Sequence, residues 1–196
     1  MDRKRIVLAS GNKHKVREIA EILNGYEVIS YKDFADFEIE ETGKTFYENA
    51  LIKAKTVAEK LKCAALADDS GLCVDALKGV PGIYSARYAG GGNDEHNNDL
   101  LLKNMEGKTD RTAKFVCCMV YCSEKGDVLT ATGEVKGEIL TERHGTNGFG
   151  YDPIFYSYEL AKPMGIASAE EKNSVSHRSR ALSEIIKKIE EYEKGN

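Results

Sequence analysis

The sequence predicts an α/β fold, with βα units first and a β-rich middle. Three observations predict it. Short apolar runs alternate with helix-period stretches through the first third of the chain, beginning with RIVLAS and KHKVREIAEIL. Two longer β-type runs, AKFVCCMVYC and VLTATGEVKGEI, flank a turn at Lys125-Gly126-Asp127. Two glycine-rich stretches, KGVPGIYSARYAGGGN and HGTNGFGYDPIF, read as loops around that middle.

In chain order, RIVLAS is a strand and the GN after it is turn chemistry. KHKVREIAEIL then sets Val16, Ile19, Ala20 and Leu23 on one helical face. YEVIS is a second strand, and DFADFEIEETG is acidic and non-periodic up to Thr45, an N-cap with Glu48 three residues on. Phe46, Ala50, Leu51, Ala54, Val57, Ala58 and Leu61 form the apolar stripe of the helix that follows. CAALA is a strand ending at Asp68 and Asp69, and LCVDAL is a candidate for another. DEHNNDLLLKNM reads as a helix, as does the C-terminal segment, which buries Ala181, Leu182, Ile185, Ile186 and Ile189 behind Ser176 as N-cap.

The 196 residues suit one domain, or two lobes sharing a sheet, and are enough for a substantial core. A net charge of −4 argues against a polyanion-binding surface. No apolar run approaches the roughly 20 residues that span a bilayer, and the start lacks a signal peptide's apolar region, so a cytoplasmic address is expected. Cys117, Cys118 and Cys122 fall in one strand-like run, with Cys118 and Cys122 on one face and Cys117 on the other. Together with Cys63 and Cys73 they lack zinc-site spacing and read as small apolar residues.

Two stretches sit where α/β sheets gather ligands, at the carboxyl ends of strands. In SGNKHK, a strand, a small-residue turn and a helix start leave backbone N–H groups facing outward, an anion site. Lys13 and Lys15 place positive charge where the helix dipole disfavours it, which makes sense if a phosphate lies between them. In DDSG, Asp68 and Asp69 end an apolar run, and buried carboxylates are rare unless paired or metal-bound. One or two carboxylates completed by substrate phosphates is the Mg²⁺ style of site. Glu38, Glu40 and Glu41 add acids in an irregular segment. Farther on, His177 and Arg178 open a helix where cations are mildly unfavourable, and Phe149 and Asp152 lie in a flexible loop. Neither a Walker A loop, a G-x-S-x-G elbow nor an H-E-x-x-H zinc site is present.

SGNKHK, EETGKTFYENALIKA, ADDSGLCVDALKGVPGIYSARYAG, GFGYDPIF and EEKNSVSHR resemble, in order and spacing, the non-canonical purine nucleoside triphosphate pyrophosphatases, also called inosine triphosphate pyrophosphatases. The resemblance implies a mixed, elongated central sheet flanked by helices, two lobes with the substrate cleft between them, and a homodimer. It implies a Mg²⁺-dependent hydrolase that converts ITP, dITP and XTP to monophosphate and pyrophosphate. By the same resemblance the phosphate loop falls on Ser10, Gly11, Asn12, Lys13, His14 and Lys15, with Lys53 facing phosphate and Ser70 beside the substrate. The catalytic acid falls on Asp69 and the metal carboxylate on Glu40, with Glu41 the alternative one residue away. Base recognition falls on Phe149, Gly150, Tyr151, Asp152, Lys172, His177 and Arg178. Ser10 stands where threonine is more usual, Asn147 where glycine is common, and AKPMGIASA is an unusual approach to Lys172. The alternatives are a house-cleaning pyrophosphatase for other modified nucleotides and a nucleotide-binding module without turnover. Neither a nucleic-acid polymer nor a membrane is an expected partner.

Overall fold

A computed structural model of the chain describes residues 4–23 and 25–195. Seven strands form one sheet in the order β2-β1-β3-β4-β5-β6-β7. The strands are β1 (Lys4–Leu8), β2 (Tyr26–Ser30), β3 (Ala65–Val74), β4 (Thr112–Cys122), β5 (Val128–Ile139), β6 (Phe155–Ser157) and β7 (Lys162–Pro163). The helices are α1 (Lys13–Ile22), α2 (Phe46–Leu61), α3 (Asp94–Asn104), α4 (Ala169–Val175) and α5 (His177–Gly195). β1 pairs in parallel with both β2 and β3, as the opening βα units require, whereas β6 pairs antiparallel with β5 and β7. The sheet is therefore mixed.

The chain divides into two compact units. The first comprises Met1–Asp69, Cys117–Gly133 and Arg178–Asn196. Its core has two parts. Ile19 of α1, Leu23 just past its end, and Leu182, Ile185 and Ile189 of α5 pack with Leu8, Leu66 and Cys117. Ala50, Ala54, Val57 and Ala58 of α2 pack with Ala65, Ala67, Cys118 and Cys122. Cys117 and Cys118 thus face opposite ways, as strand alternation predicts, and all five cysteines are free thiols. The second unit comprises Ser70–Val116 and Glu134–His177. Leu72, Leu101, Phe115, Val135, Tyr151 and Phe155 lie in its core.

The expected elements appear, with informative differences. Thr45 caps α2, accepting from the Glu48 N–H at 3.1 Å. On α1, Ala20 is exposed and Glu18 is buried instead. The aspartates do not end a strand: CAALA and LCVDAL belong to the single strand β3, which runs through Asp68, Asp69, Ser70 and Gly71 without a turn. β1 pairs with β3 only as far as Leu66, so both aspartates lie just beyond the end of the neighbouring strand. The expected loop at 78–93 contains a 3₁₀ turn, Gly82–Arg87. Ser176 is the single extended residue between α4 and α5.

Candidate functional site

Where β1 stops, Asn12 caps α1: its Oδ1 accepts from the His14 and Lys15 N–H groups at 3.0 and 3.2 Å. Ser10 is buried, its hydroxyl accepts from Asn12 N–H at 3.2 Å, and its carbonyl accepts from the Ser30 hydroxyl at 2.7 Å. Gly11, Lys13 and His14 are exposed. Lys15 differs from the expectation of a phosphate-bracketing pair. Its ammonium lies 3.0 Å from Asp68 Oδ2, so a protein carboxylate already answers its charge at the helix start.

Asp68 is fully buried and sits at the centre of an ion network. Arg178, also fully buried, donates from Nε and Nη2 to Asp68 Oδ2 at 3.4 and 3.3 Å, and from Nη1 to Glu18. Burial opposes ionisation of Asp68, but Lys15, Arg178 and Lys53 outweigh it and hold the carboxyl well below its ordinary range. The Arg178 guanidinium, which burial would make less basic, is held charged by Asp68 and Glu18.

Asp69 points into a different set of partners. The Lys53 ammonium, projecting from α2, stands 2.6 Å from Glu41 Oε1 and 3.6 Å from Asp69 Oδ1. Burial would lower the Lys53 pKa, but Asp69, Asp68 and Glu41 reverse that and raise it. For Asp69, burial pushes the pKa up, only partly offset by Lys53, Lys15 and a hydrogen bond from Asn49. Glu40 is exposed and Glu41 half-buried, and it is Glu41, the alternative one residue away, whose carboxylate joins Lys53. Two hard-oxygen donors converging on one cation fit a Mg²⁺ site that takes one or two carboxylates and completes its shell from phosphate and water. Among the described residues, no group of three or more His, Cys, Asp or Glu could hold a metal ion alone.

Asn49 is a site residue that sequence reasoning missed. Fully buried on α2, it donates from Nδ2 to Asp69 Oδ2 at 3.1 Å and accepts from the Gly43 N–H at 2.9 Å. It therefore ties the Asp69 carboxylate to the segment that carries Glu41. Gly43 is required for that approach, because a Cβ there would stand 2.7 Å from Asn49 Oδ1. The signal was present in sequence as an amide within the apolar stripe of α2.

The second unit holds a separate cluster. Lys172 of α4 is buried, its ammonium 2.7 Å from Asp152 Oδ2 and 4.6 Å from the centroid of the Phe149 ring. Asp152 Oδ2 also accepts from the Phe149 N–H at 2.9 Å. The Tyr151 hydroxyl donates to the Ser85 carbonyl at 2.8 Å, and its burial raises its pKa. His177 stacks on Phe115 with centroids 5.0 Å apart and rings 14° from parallel. Ser70, half-buried on β3, is where this unit begins. Asn147 does fasten its loop: it donates from N–H to the Gly165 carbonyl and from Nδ2 to the Ala167 carbonyl, at 2.9 and 3.0 Å. The two sequence departures, Asn147 and AKPMGIASA, thus meet each other.

Two carboxylates gathered on the buried Lys53 and an aromatic ring under Lys172 mark the candidate site of this α/β protein. The chain belongs to the Ham1 family, whose model matches residues 6–188. It is 52% identical to a dITP/XTP pyrophosphatase of Geobacter sulfurreducens, across 91% of this chain and 92% of that one. It is 47% identical to a dITP/XTP pyrophosphatase of Listeria monocytogenes, across 95% of each. The solved structure of the Staphylococcus aureus Ham1 protein superposes with a TM-score of 0.87 at 44% identity, over 96% of this chain and all of that one.

Proposed function

We propose that this chain hydrolyses non-canonical purine nucleoside triphosphates, namely ITP, dITP and XTP, to the monophosphate and pyrophosphate. Membership of the Ham1 family and the names of its close relatives support the reaction class. The observation that carries the assignment of roles is the buried Asp69 carboxylate 3.6 Å from the Lys53 ammonium, which Glu41 joins at 2.6 Å.

In this reading Asp69 orients a water against the α-phosphorus and draws its proton. A new P–O bond forms, the bond from the α-phosphorus to the bridging oxygen breaks, and pyrophosphate leaves with the electron pair. Lys53 and Lys13 offset charge that builds on the phosphates, and the outward N–H groups at the start of α1 hold a phosphate oxygen. Asp69 and Glu41 would hold Mg²⁺, which when bound supplies further neutralisation of phosphate charge. Lys15 supports this machinery through Asp68, the neighbour of Asp69.

The purine ring stacks on Phe149, within a loop set by Asp152 and Lys172. Arg178, expected to read the base, is instead committed to Asp68 and Glu18, so the donor to O6 falls to His177; facing the amino group of adenine it would leave donor against donor and cost ATP about 1–3 kcal/mol. The interleaved chain of the two units supports a single domain over residues 1–196, and the resemblance supports a homodimer. No helix among the described residues is long and apolar enough to cross a membrane, in keeping with a cytoplasmic role.

The test is product analysis with ITP, XTP, dITP, GTP and ATP, with Mg²⁺ and with EDTA. Monophosphate plus pyrophosphate from ITP or XTP, lost with EDTA and with Asp69→Asn, is expected. Orthophosphate release would mean attack at the γ-phosphorus. Tight ITP binding without turnover would mean a sensor.

A further inference from the structure

α3 carries more polar side chains on its inner side than a supporting helix needs. Asn97 and Asn98 are adjacent and nearly fully buried, although asparagine is a poor residue for a helix interior. Asn97 is explained by the 86–89 segment: it accepts from the Ala89 N–H at 2.7 Å and donates to the Ala86 carbonyl at 3.2 Å. Asn98 reaches elsewhere. Its Nδ2 donates to the Gly150 carbonyl at 3.0 Å, and one turn earlier the Asp94 Oδ2 accepts from the Gly150 N–H at 2.7 Å. Positions i and i+4 lie on one helix face, so a single face of α3 grips both polar groups of one residue.

That residue lies between Phe149 and Asp152. Gly150 adopts a left-handed φ of 62°, and a Cβ there would meet nothing within 4 Å, so the glycine serves the backbone angle alone. The other end of the loop is fastened to the next face of the same helix, where Arg143 is bonded to Glu95 and Asp99. The Asn98 Oδ1, meanwhile, is buried with no hydrogen-bond partner. Flipping the amide would only turn an acceptor toward the Gly150 carbonyl, so the amide orientation is fixed. A leucine of similar size would remove the cost of that unpaired acceptor, yet the chain keeps an amide, and the grip on Gly150 is its evident use.

We propose that Asn98 and Asp94 are positioning residues for purine recognition: they lock the Gly150 peptide and thereby fix the plane of the Phe149 ring and the carboxylate of Asp152. This rests on the reading of Phe149, Asp152 and Lys172 as the base-recognising cluster. The test measures kcat and KM for ITP, XTP and ATP with the full chain and its Asp94→Ala, Asp94→Asn, Asn98→Asp and Lys172→Ala variants. Asp94→Ala and Asn98→Asp are expected to raise KM for ITP about tenfold and narrow the ITP-over-ATP preference to match, while kcat stays within about twofold. Asp94→Asn keeps an oxygen that accepts from the Gly150 N–H and should stay close to the parent. Asp94 is exposed, so its two variants carry the test even if Asn98→Asp fails to fold. Parent-like preference in Asp94→Ala, equal loss in Asp94→Asn, or a fall in kcat with unchanged KM would overturn the proposal. The Lys172→Ala variant separates the two levels. If it leaves the preference intact, the base-recognition reading falls first; if it abolishes the preference while Asp94→Ala does not, only the positioning role falls.

Discussion

Replacing Arg178 with methionine tests the ion network that surrounds Asp68. The guanidinium is buried and bonded to two carboxylates, Glu18 on α1 and Asp68 on β3, while Lys15 closes the set on the other side of Asp68. Four groups of balanced charge share this space. Arg178→Met leaves Asp68 with Lys15 but takes the guanidinium from Glu18, and breaking a buried pair from one side costs about 3–5 kcal/mol. For a chain of this size each kcal/mol moves Tm by about 2–4 °C, so a fall of about 6–20 °C is expected. The double variant Glu18→Met/Arg178→Met removes both members of the buried pair and should recover at least about 2 kcal/mol of that loss. Urea unfolding of the parent, both single variants and the double variant measures the coupling, provided the slopes with denaturant agree. A cost below about 1 kcal/mol for Arg178→Met, or a double variant whose loss equals the sum of the singles, would refute the argument that these charges depend on one another.

Glu41→Gln should raise the Mg²⁺ concentration for half-maximal activity at least tenfold, whereas Glu40→Gln should change it by less than about twofold. The opposite ranking in a Mg²⁺ titration would restore Glu40 as the ligand. A pH dependence of stability follows from Asp68. Its folded pKa lies below the unfolded value of about 3.9, so its contribution is complete above that value and is lost as pH falls below it. Metal-free protein should therefore lose stability steeply below about pH 4, and Asp68→Asn should flatten that limb while lowering stability at neutral pH; an unchanged acid limb in thermal melts would contradict this.

Local signals carried much of the fold. Thr45 and the apolar stripe behind it predict α2, and the bounds of β5 coincide with VLTATGEVKGEI because alternation and a preceding turn mark both ends. β3 was less legible because DDSG has turn composition, and only pairing with neighbours keeps the strand extended through it. α4 escaped notice although Ser168 and Glu171 form a capping box, since it is only seven residues long. Motif resemblance pointed to Asp69, Lys53 and Lys172, each of which the structure buries in an ion-pair cluster. It could not supply Glu18, whose partner lies 160 residues away, nor the one-residue choice between Glu40 and Glu41. Long-range ion pairs leave no periodic trace in a sequence, so an acid on a helix face reads as solvated until its partner is seen.

The course of the backbone between the two units constrains how this protein can be taken apart. The chain passes from one to the other at Asp69–Ser70, Val116–Cys117, Gly133–Glu134 and His177–Arg178. No one contiguous stretch encodes either unit, so a protease nick anywhere between Ser70 and His177 yields two fragments that each carry pieces of both. Neither unit can be excised whole as a single contiguous piece of the chain. The cluster around Asp69 and the cluster around Lys172 thus belong to units whose sequence is interleaved along one chain.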